Sequence, residues 1–290
     1  MLENVLIYGL INGMVLALLA IGFALTFGIS GIANFAHGAL YILTGYTVWV
    51  FLHTLGTPYL LAIFLAMAIT ALIGAAIYNV ILLRIRGMRS SEIIATFALA
   101  LAILEAFRFF GFVGAKYTLP TFVEGSVSVA GVIVDYQRLI LIGVGAGLVG
   151  LLWFFTHYTK TGLAFRAIAQ VERTALTLGI DSDRMATLSL AFGAALAALA
   201  AIVLLPLGQI TVETGLNVLL NALAICILGG LGSVTGIVAA SLLLGYAQII
   251  TVTYIAPHWL MVVTLVAIFV VLLVKPSGLF GKQKELEERV

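Results

Sequence analysis

The sequence predicts an all-α polytopic membrane protein of about nine transmembrane segments, eight to ten, and three observations carry that reading. Hydrophobic residues make up 63% of the 290 positions and charged residues only 9%, where a soluble domain carries about a quarter charged residues. The apolar residues gather into runs of about 20, the length a helix needs to cross hydrocarbon, and mean hydropathy is +1.23. The basic residues fall in clusters between the runs. An outer-membrane barrel is excluded, since its strands would alternate in segments of about ten residues. No basic stripe or recognition module points to nucleic acid, and a net charge of +2 selects no partner.

Taken in order, the apolar runs occupy 4–28, 39–55, 58–83, 91–113, 136–157, 185–207, 216–231, 236–256 and 258–274. The opening MLENVLIYGLING has no Lys or Arg before its apolar run and no small-residue cleavage site, so it reads as a retained first helix. Arg84, Arg86 and Arg89 form one basic cluster; Lys160, Arg166, Arg173 and Arg184 a second; Lys275, Lys282, Lys284 and Arg289 a third. Only Arg108, Lys116 and Arg138 lie elsewhere. The positive-inside rule places all three clusters in the cytoplasm. Parity then puts the loop 114–135 outside, and it puts Met1 outside if 39–55 is a full span. The chain reads as a single transmembrane domain, 1–290, with a cytoplasmic insertion at 159–184 and a basic cytoplasmic tail at 275–290. The lone Cys226 lies in an apolar run and reads as a small buried hydrophobe.

Two runs are broken, one in each half of the chain. GISGIANFAHGALYILTGY and ILGGLGSVTGIVAASLLLGY both pair close glycines with small polar residues, and both end in Gly-Tyr. Hydrocarbon cannot satisfy a loosened backbone, so such stretches survive only where protein covers them or they line a hydrated path. Interrupted segments at corresponding places in two pseudo-symmetric halves point to a transport path. Asn34, Phe35, His37 and Gly38 are the path residues expected in the first, and Gly229, Gly230, Gly232 and Ser233 those in the second. His37 has a competing role, capping a broken helix by bonding freed carbonyls. The second stretch has one too, plain close packing of helices, as Gly9/Gly13 and Gly143/Gly147 are expected to provide.

In the insertion, Ala164, Ile168, Val171, Ala175 and Leu178 form one apolar stripe on a continuous helix, with Arg166, Gln170, Arg173 and Thr177 opposite. Gly179 follows as a helix stop, with Asp181 and Asp183 beyond it. Such a helix either lies in the headgroups or is gripped by a cytoplasmic partner.

The runs LAIGFALTFGISGIANFAHGALYILTGY, TGLAFRAIAQVERTALTLGID, AICILGGLGSVTGIVAASLLLG and VLLVKPSGLFG resemble, in order and spacing, the branched-chain amino acid ABC transporter permeases. The resemblance runs nearly end to end. It implies a non-catalytic membrane subunit of an importer for leucine, isoleucine, valine and related amino acids, in a bacterial or archaeal cytoplasmic membrane. It also implies as partners a second homologous permease, two cytoplasmic ATPase subunits carrying ATP and Mg, and an extracytoplasmic amino-acid-binding protein; no cofactor belongs to this chain. The importer coupling motif (Glu-Ala-Ala, three residues, Gly) is matched in part: Ala175 and Gly179 take the second Ala and the Gly, while Arg173 and Thr174 replace Glu-Ala. The opening Gly162-Leu163-Ala164-Phe165-Arg166-Ala167 has Leu163 in place of the family's first Arg. The resemblance thus assigns coupling to Arg166, Arg173, Ala175, Gly179 and Asp181.

The chain has no G-x-x-x-x-G-K-[ST] loop to cradle a nucleotide, and no G-x-S-x-G, H-E-x-x-H or His/Cys cluster for hydrolysis or metal binding. Its energy comes from a partner or from an ion gradient. An ion-coupled secondary transporter is the alternative, disfavoured by the shortage of mid-membrane acids; a related permease for urea, amides or another small solute is a further one. Glu105 and Arg108 read as a local pair at the outer end of their helix, Glu92 as solvated, and Glu213 as an outer-loop residue.

Overall fold

The computed structural model describes residues 2–112, 114, 117–230 and 232–281. Lys116, Lys282, Lys284, Arg289 and the end of the expected tail lie outside the described residues. The long helices are α1 (Leu2–Ser30), α2 (His37–His53), α3 (Tyr59–Ala76), α4 (Arg89–Phe109), α5 (Tyr136–Tyr158), α8 (Ser182–Leu204), α9 (Val212–Gly229), α10 (Val234–Tyr254) and α11 (Leu260–Val274). The short α6 (Lys160–Gln170) and α7 (Glu172–Thr177) lie between α5 and α8. Among the described residues, eight helical stretches are long and apolar enough to cross a membrane. The ninth, α2, has 17 residues, about 25 Å at 1.5 Å per residue. It is short because it starts inside the bundle, beside Leu19 and Phe23 of α1.

α1 and α8 are the centre. Close approach is set by small residues: a Cβ on Gly22 would sit 2.7 Å from Gly193 O, and Thr26 Oγ1 donates across to Ser189 O (3.2 Å). α10 packs on the other side of α1, where Gly9 faces the Tyr246 ring and Gly13 meets Gly245. The expected Gly143/Gly147 packing is not found within the chain; both are open, and Gly145, which faces Met14, is the close-packed glycine of α5. α11 is peripheral, burying only Thr264. A polar string crosses the bundle there: Asn12 Nδ2 donates to Gln248 Oε1 (2.9 Å), and Gln248 Nε2 to Thr264 Oγ1 (2.9 Å). Such interhelical bonds are the glue available where burial alone does not favour association.

The helices alternate, so the chain has two ends. At one, the stretch just before α5 folds into an antiparallel hairpin, β1 (Ser126–Val129) and β2 (Val132–Asp135). The sequence reading took this stretch only as a loop, yet SVSVAGVIVD alternates on either side of a turn at Ala130 and Gly131, both at positive φ. Val132 and Val134 bury against Ile11, and Tyr8 OH donates to Ile133 O (2.8 Å). The start of α1 therefore shares an end with this loop, as parity requires. Glu213 is not in a loop either. It sits in the first turn of α9 and pairs with Arg108 (2.9 Å), which also pairs with Glu105. The expected local pair is thus a three-residue link between α4 and α9.

Candidate functional site: two helix breaks and a clamped insertion

The first break, 31–36, closes its own hydrogen bonds with side chains. Ser30 Oγ donates to Thr26 O (2.7 Å) and accepts from Ile32 N (3.3 Å). Asn34 Oδ1 accepts from Ala36 N (3.1 Å), and Phe35 N donates to Thr96 Oγ1 of α4 (3.2 Å). His37 Nε2 donates to Leu19 O (3.0 Å), since a carbonyl only accepts, and the ring stands edge-on to Phe23. Asn34 and His37 are 4% and 2% exposed, so both are internal staples here. Gly38 lets α2 meet α9 backbone to backbone, because a Cβ there would overlap Gly215 O. Phe35 is the partly exposed side chain of the set, edge-on to Phe97.

The second break, 230–233, is closed differently. Gly230 takes φ 94°, and the segment after α11 pairs with it: Leu279 N donates to Leu228 O (2.8 Å) and Phe280 N to Gly229 O (3.1 Å). Gly229 packs on Gly236, while Ser233 Oγ accepts from Gly236 N (3.1 Å) and caps α10. Gly229 and Gly230 are buried and Gly232 is exposed. The breaks come together where Gly28, near the end of α1, meets Gly232; a Cβ on Gly28 would lie 3.1 Å from Gly232 Cα.

The insertion is two helices, not the one continuous helix expected. The chain leaves helical geometry at Val171 (φ −145°, ψ 100°). Val171 and Leu178 are exposed, so the expected stripe is corrected: Phe165, Ile168 and Ala175 are the buried apolar residues. The physical reason lies in Glu172. Its Oε1 accepts from Arg86 (2.8 Å) and from Ser182 Oγ (2.6 Å), which draws α7 out of line with α6. Arg86 also donates to Ser182 Oγ (2.8 Å) and pairs with Asp183, whose Oδ1 accepts from Tyr78 OH (2.7 Å). This clamp joins α7 and the start of α8 to the connection between α3 and α4, through Arg86 in the turn before α4 and Tyr78 in the π turn Ile77–Ile81 that continues α3, a feature frequent at functional sites. In the sequence Arg86 marks only topology and nothing points to Glu172, because no local feature marks residues 86 positions apart as partners.

The residues assigned to coupling fall into two groups. Gly179 (φ 80°) ends α7, with Ile180 N reaching back to Ala175 O (3.1 Å), and Asp181 caps α8 by accepting from Asp183 N and Arg184 N. Arg166 and Arg173 are exposed and have no ion-pair partner among the described residues. Glu92 is buried, not solvated, its Oε1 accepting from Gly87 N (2.9 Å). Gly162, tight against the Phe155 carbonyl, and Thr159, which accepts from Gly162 N, set the sharp turn from α5 into α6.

The model of the family described as "Branched-chain amino acid transport system / permease component" matches residues 5–272. Among curated relatives, the high-affinity branched-chain amino acid transport system permease protein BraD of Pseudomonas aeruginosa is 30% identical, over 96% of this chain and 95% of its own. LivH of Salmonella typhimurium, named likewise, is 30% identical over 94% of each. Among solved structures, a chain of PsaBC from Streptococcus pneumoniae in complex with Fab superposes with a TM-score of 0.53 at 14% identity, covering 94% of this chain and 93% of that one. That likeness speaks to the fold. A helical bundle with two broken spans and an amphipathic insertion, matched over nearly its whole length, belongs to the branched-chain amino acid transport permease family.

Proposed function

We propose that this permease is one half of an importer for branched-chain or similarly apolar amino acids in the cytoplasmic membrane, driven by separate ATPase subunits. The observation that carries the coupling is the clamp. α6 and α7 offer an exposed polar face carrying Arg166 and Arg173, neither with an ion-pair partner among the described residues, while Glu172 is tied through Arg86 to the connection between α3 and α4 and to α8. A push on α7 is thereby delivered to two membrane helices rather than lost in a loop. The names of the relatives support the substrate class. The partners are a second homologous permease, two ATPase subunits holding ATP and Mg, and an extracytoplasmic binding protein.

The path runs along the face where the first break meets α4 and α9. Phe35 and Phe97 stand edge to face there, Leu101 and Leu220 are exposed, and Arg108 ties α4 to α9 at the hairpin end. An apolar, partly exposed face suits an apolar side chain in transit and a second permease opposite. The second break, with Gly229, Gly230, Gly232 and Ser233, acts as the joint between α9 and α10 rather than as the wall of the path.

The test is to tag the chain, extract it gently from native membranes and identify what comes with it. A second permease and one or two phosphate-loop ATPases, with ATP-driven leucine uptake after reconstitution, are the expected result. Recovery of the chain alone, with uptake driven by an ion gradient, would overturn the proposal and promote a secondary transporter.

A further inference from the structure

Beside the second break lies a cleft of about 220 Å³, bounded by the end of α1, the end of α5, α6 and the start of α10. Its walls are apolar: Leu25, Ile29, Leu152, Phe165 and Ile237 among others. Three polar side chains reach it, and two are already engaged. Thr156 Oγ1 donates to Leu152 O (2.8 Å), and His157 Nδ1 bonds Trp153 O (2.8 Å). The third is Arg166, the one formal charge in the lining.

Among the described residues, nothing nearby neutralises that charge. The acids of the insertion are used elsewhere: Glu172 by Arg86 and Ser182, Asp183 by Arg86 and Tyr78, Asp181 by Arg184 and the first amides of α8. Beside the cleft, α5 turns Trp153, Phe154 and Tyr158 outward, the aromatic composition typical of a membrane–water boundary. A cation at that level above an apolar cleft is complementary to a molecule with one anionic end and a long apolar one. A free amino acid fits worse, because the lining contains no carboxylate to meet its ammonium group. A small soluble anion leaves the apolar walls unfilled.

The geometry points to a binding site for an anionic phospholipid of the inner leaflet, its phosphate on Arg166 and an acyl chain between α1, α5 and α10. Bound there, the lipid touches both α6 and the second break at Gly232, and so ties the insertion to the joint of α10. This site is independent of the substrate assigned above; it engages Arg166 at the cleft and leaves Arg173 as the basic residue of the insertion's exposed face.

The assembled transporter, exchanged into equal phosphatidylglycerol and phosphatidylcholine, is read by native mass spectrometry and by crosslinking with a photoreactive phosphatidylglycerol. One charge at the membrane surface is worth about 1 kcal/mol, so about a fivefold preference for phosphatidylglycerol is expected. Crosslinks should fall on α1, α5 and α6. Arg166→Gln should abolish the preference, and Leu25→Trp should lower retention of both lipids. Equal retention by the wild type, an unchanged preference in Arg166→Gln, or crosslinks showing a second permease seated over the cleft would overturn the proposal. ATP-driven leucine uptake without lipid preference sinks only the lipid site; preference without such uptake sinks only the importer.

Discussion

The two helix breaks look alike in the sequence and are built by opposite means. The first is stapled by side chains: Ser30, Asn34 and Thr96 each take a backbone group at the interruption, and His37 ties the start of α2 to Leu19 O in the middle of α1. The second has few polar side chains and is closed mainly by backbone, with Leu279 and Phe280 donating to the carbonyls at the end of α9. Hydrocarbon permits neither break to go unsatisfied. A polar break inside the bundle can recruit neighbours one residue at a time. A glycine-rich break at the edge needs a remote segment laid against it, and only glycine leaves room for that segment.

The difference has measurable consequences. The largest effect is expected from ending the chain at Lys275. That removes the pairing at Leu228 and Gly229 and uncovers Gly230 and Gly236 together, and should cost about 3 kcal/mol or more, read as loss of folded protein in a thermal melt. His37→Ala comes next. It leaves Leu19 O without the imidazole and opens a void beside Phe23, at about 2–4 kcal/mol. A melt within 1 °C of wild type would mean that the first break does not depend on its staples.

Smaller effects compare the two capping side chains directly. Asn34→Ala frees the buried Ala36 amide and should cost about 1–2 kcal/mol. Ser233→Ala removes only the α10 cap, and its cost should be about 1 kcal/mol. If Ser233→Ala proved the more damaging, the second break would rest on its side chain after all. Smallest of all, Gly143→Ala on the open face of α5 should leave the melt of the isolated chain unchanged or raise it slightly.

Much of this was legible beforehand, because hydropathy and basic clusters register the dominant constraint of a bilayer directly. The breaks were legible for the same reason: Asn34, His37 and clustered glycines are costly in hydrocarbon and so mark themselves. Their closure was not. That Leu279 pairs with Leu228 is backbone pairing, indifferent to side chains, and leaves no mark in either segment. The insertion misled in a more instructive way. Steps of four and three from Ala164 to Leu178 fit one helix, but periodicity says nothing of Glu172 being held by Arg86, in the turn between α3 and α4. The hairpin at 126–135, by contrast, was written locally in its alternation and its Ala-Gly turn, and was overlooked amid apolar runs.

The central claim is that force from partner ATPases enters through α7 and the Arg86 clamp. It is tested most directly by the ratio of leucine transported to ATP hydrolysed, in the reconstituted complex carrying Arg86→Gln. Arg86 is about 39% exposed, so its loss should leave assembly and basal hydrolysis close to wild type. The account predicts that transport per ATP then falls several-fold. An unchanged ratio in an intact complex would contradict it, and would mean that α7 is moored to α3 without driving it.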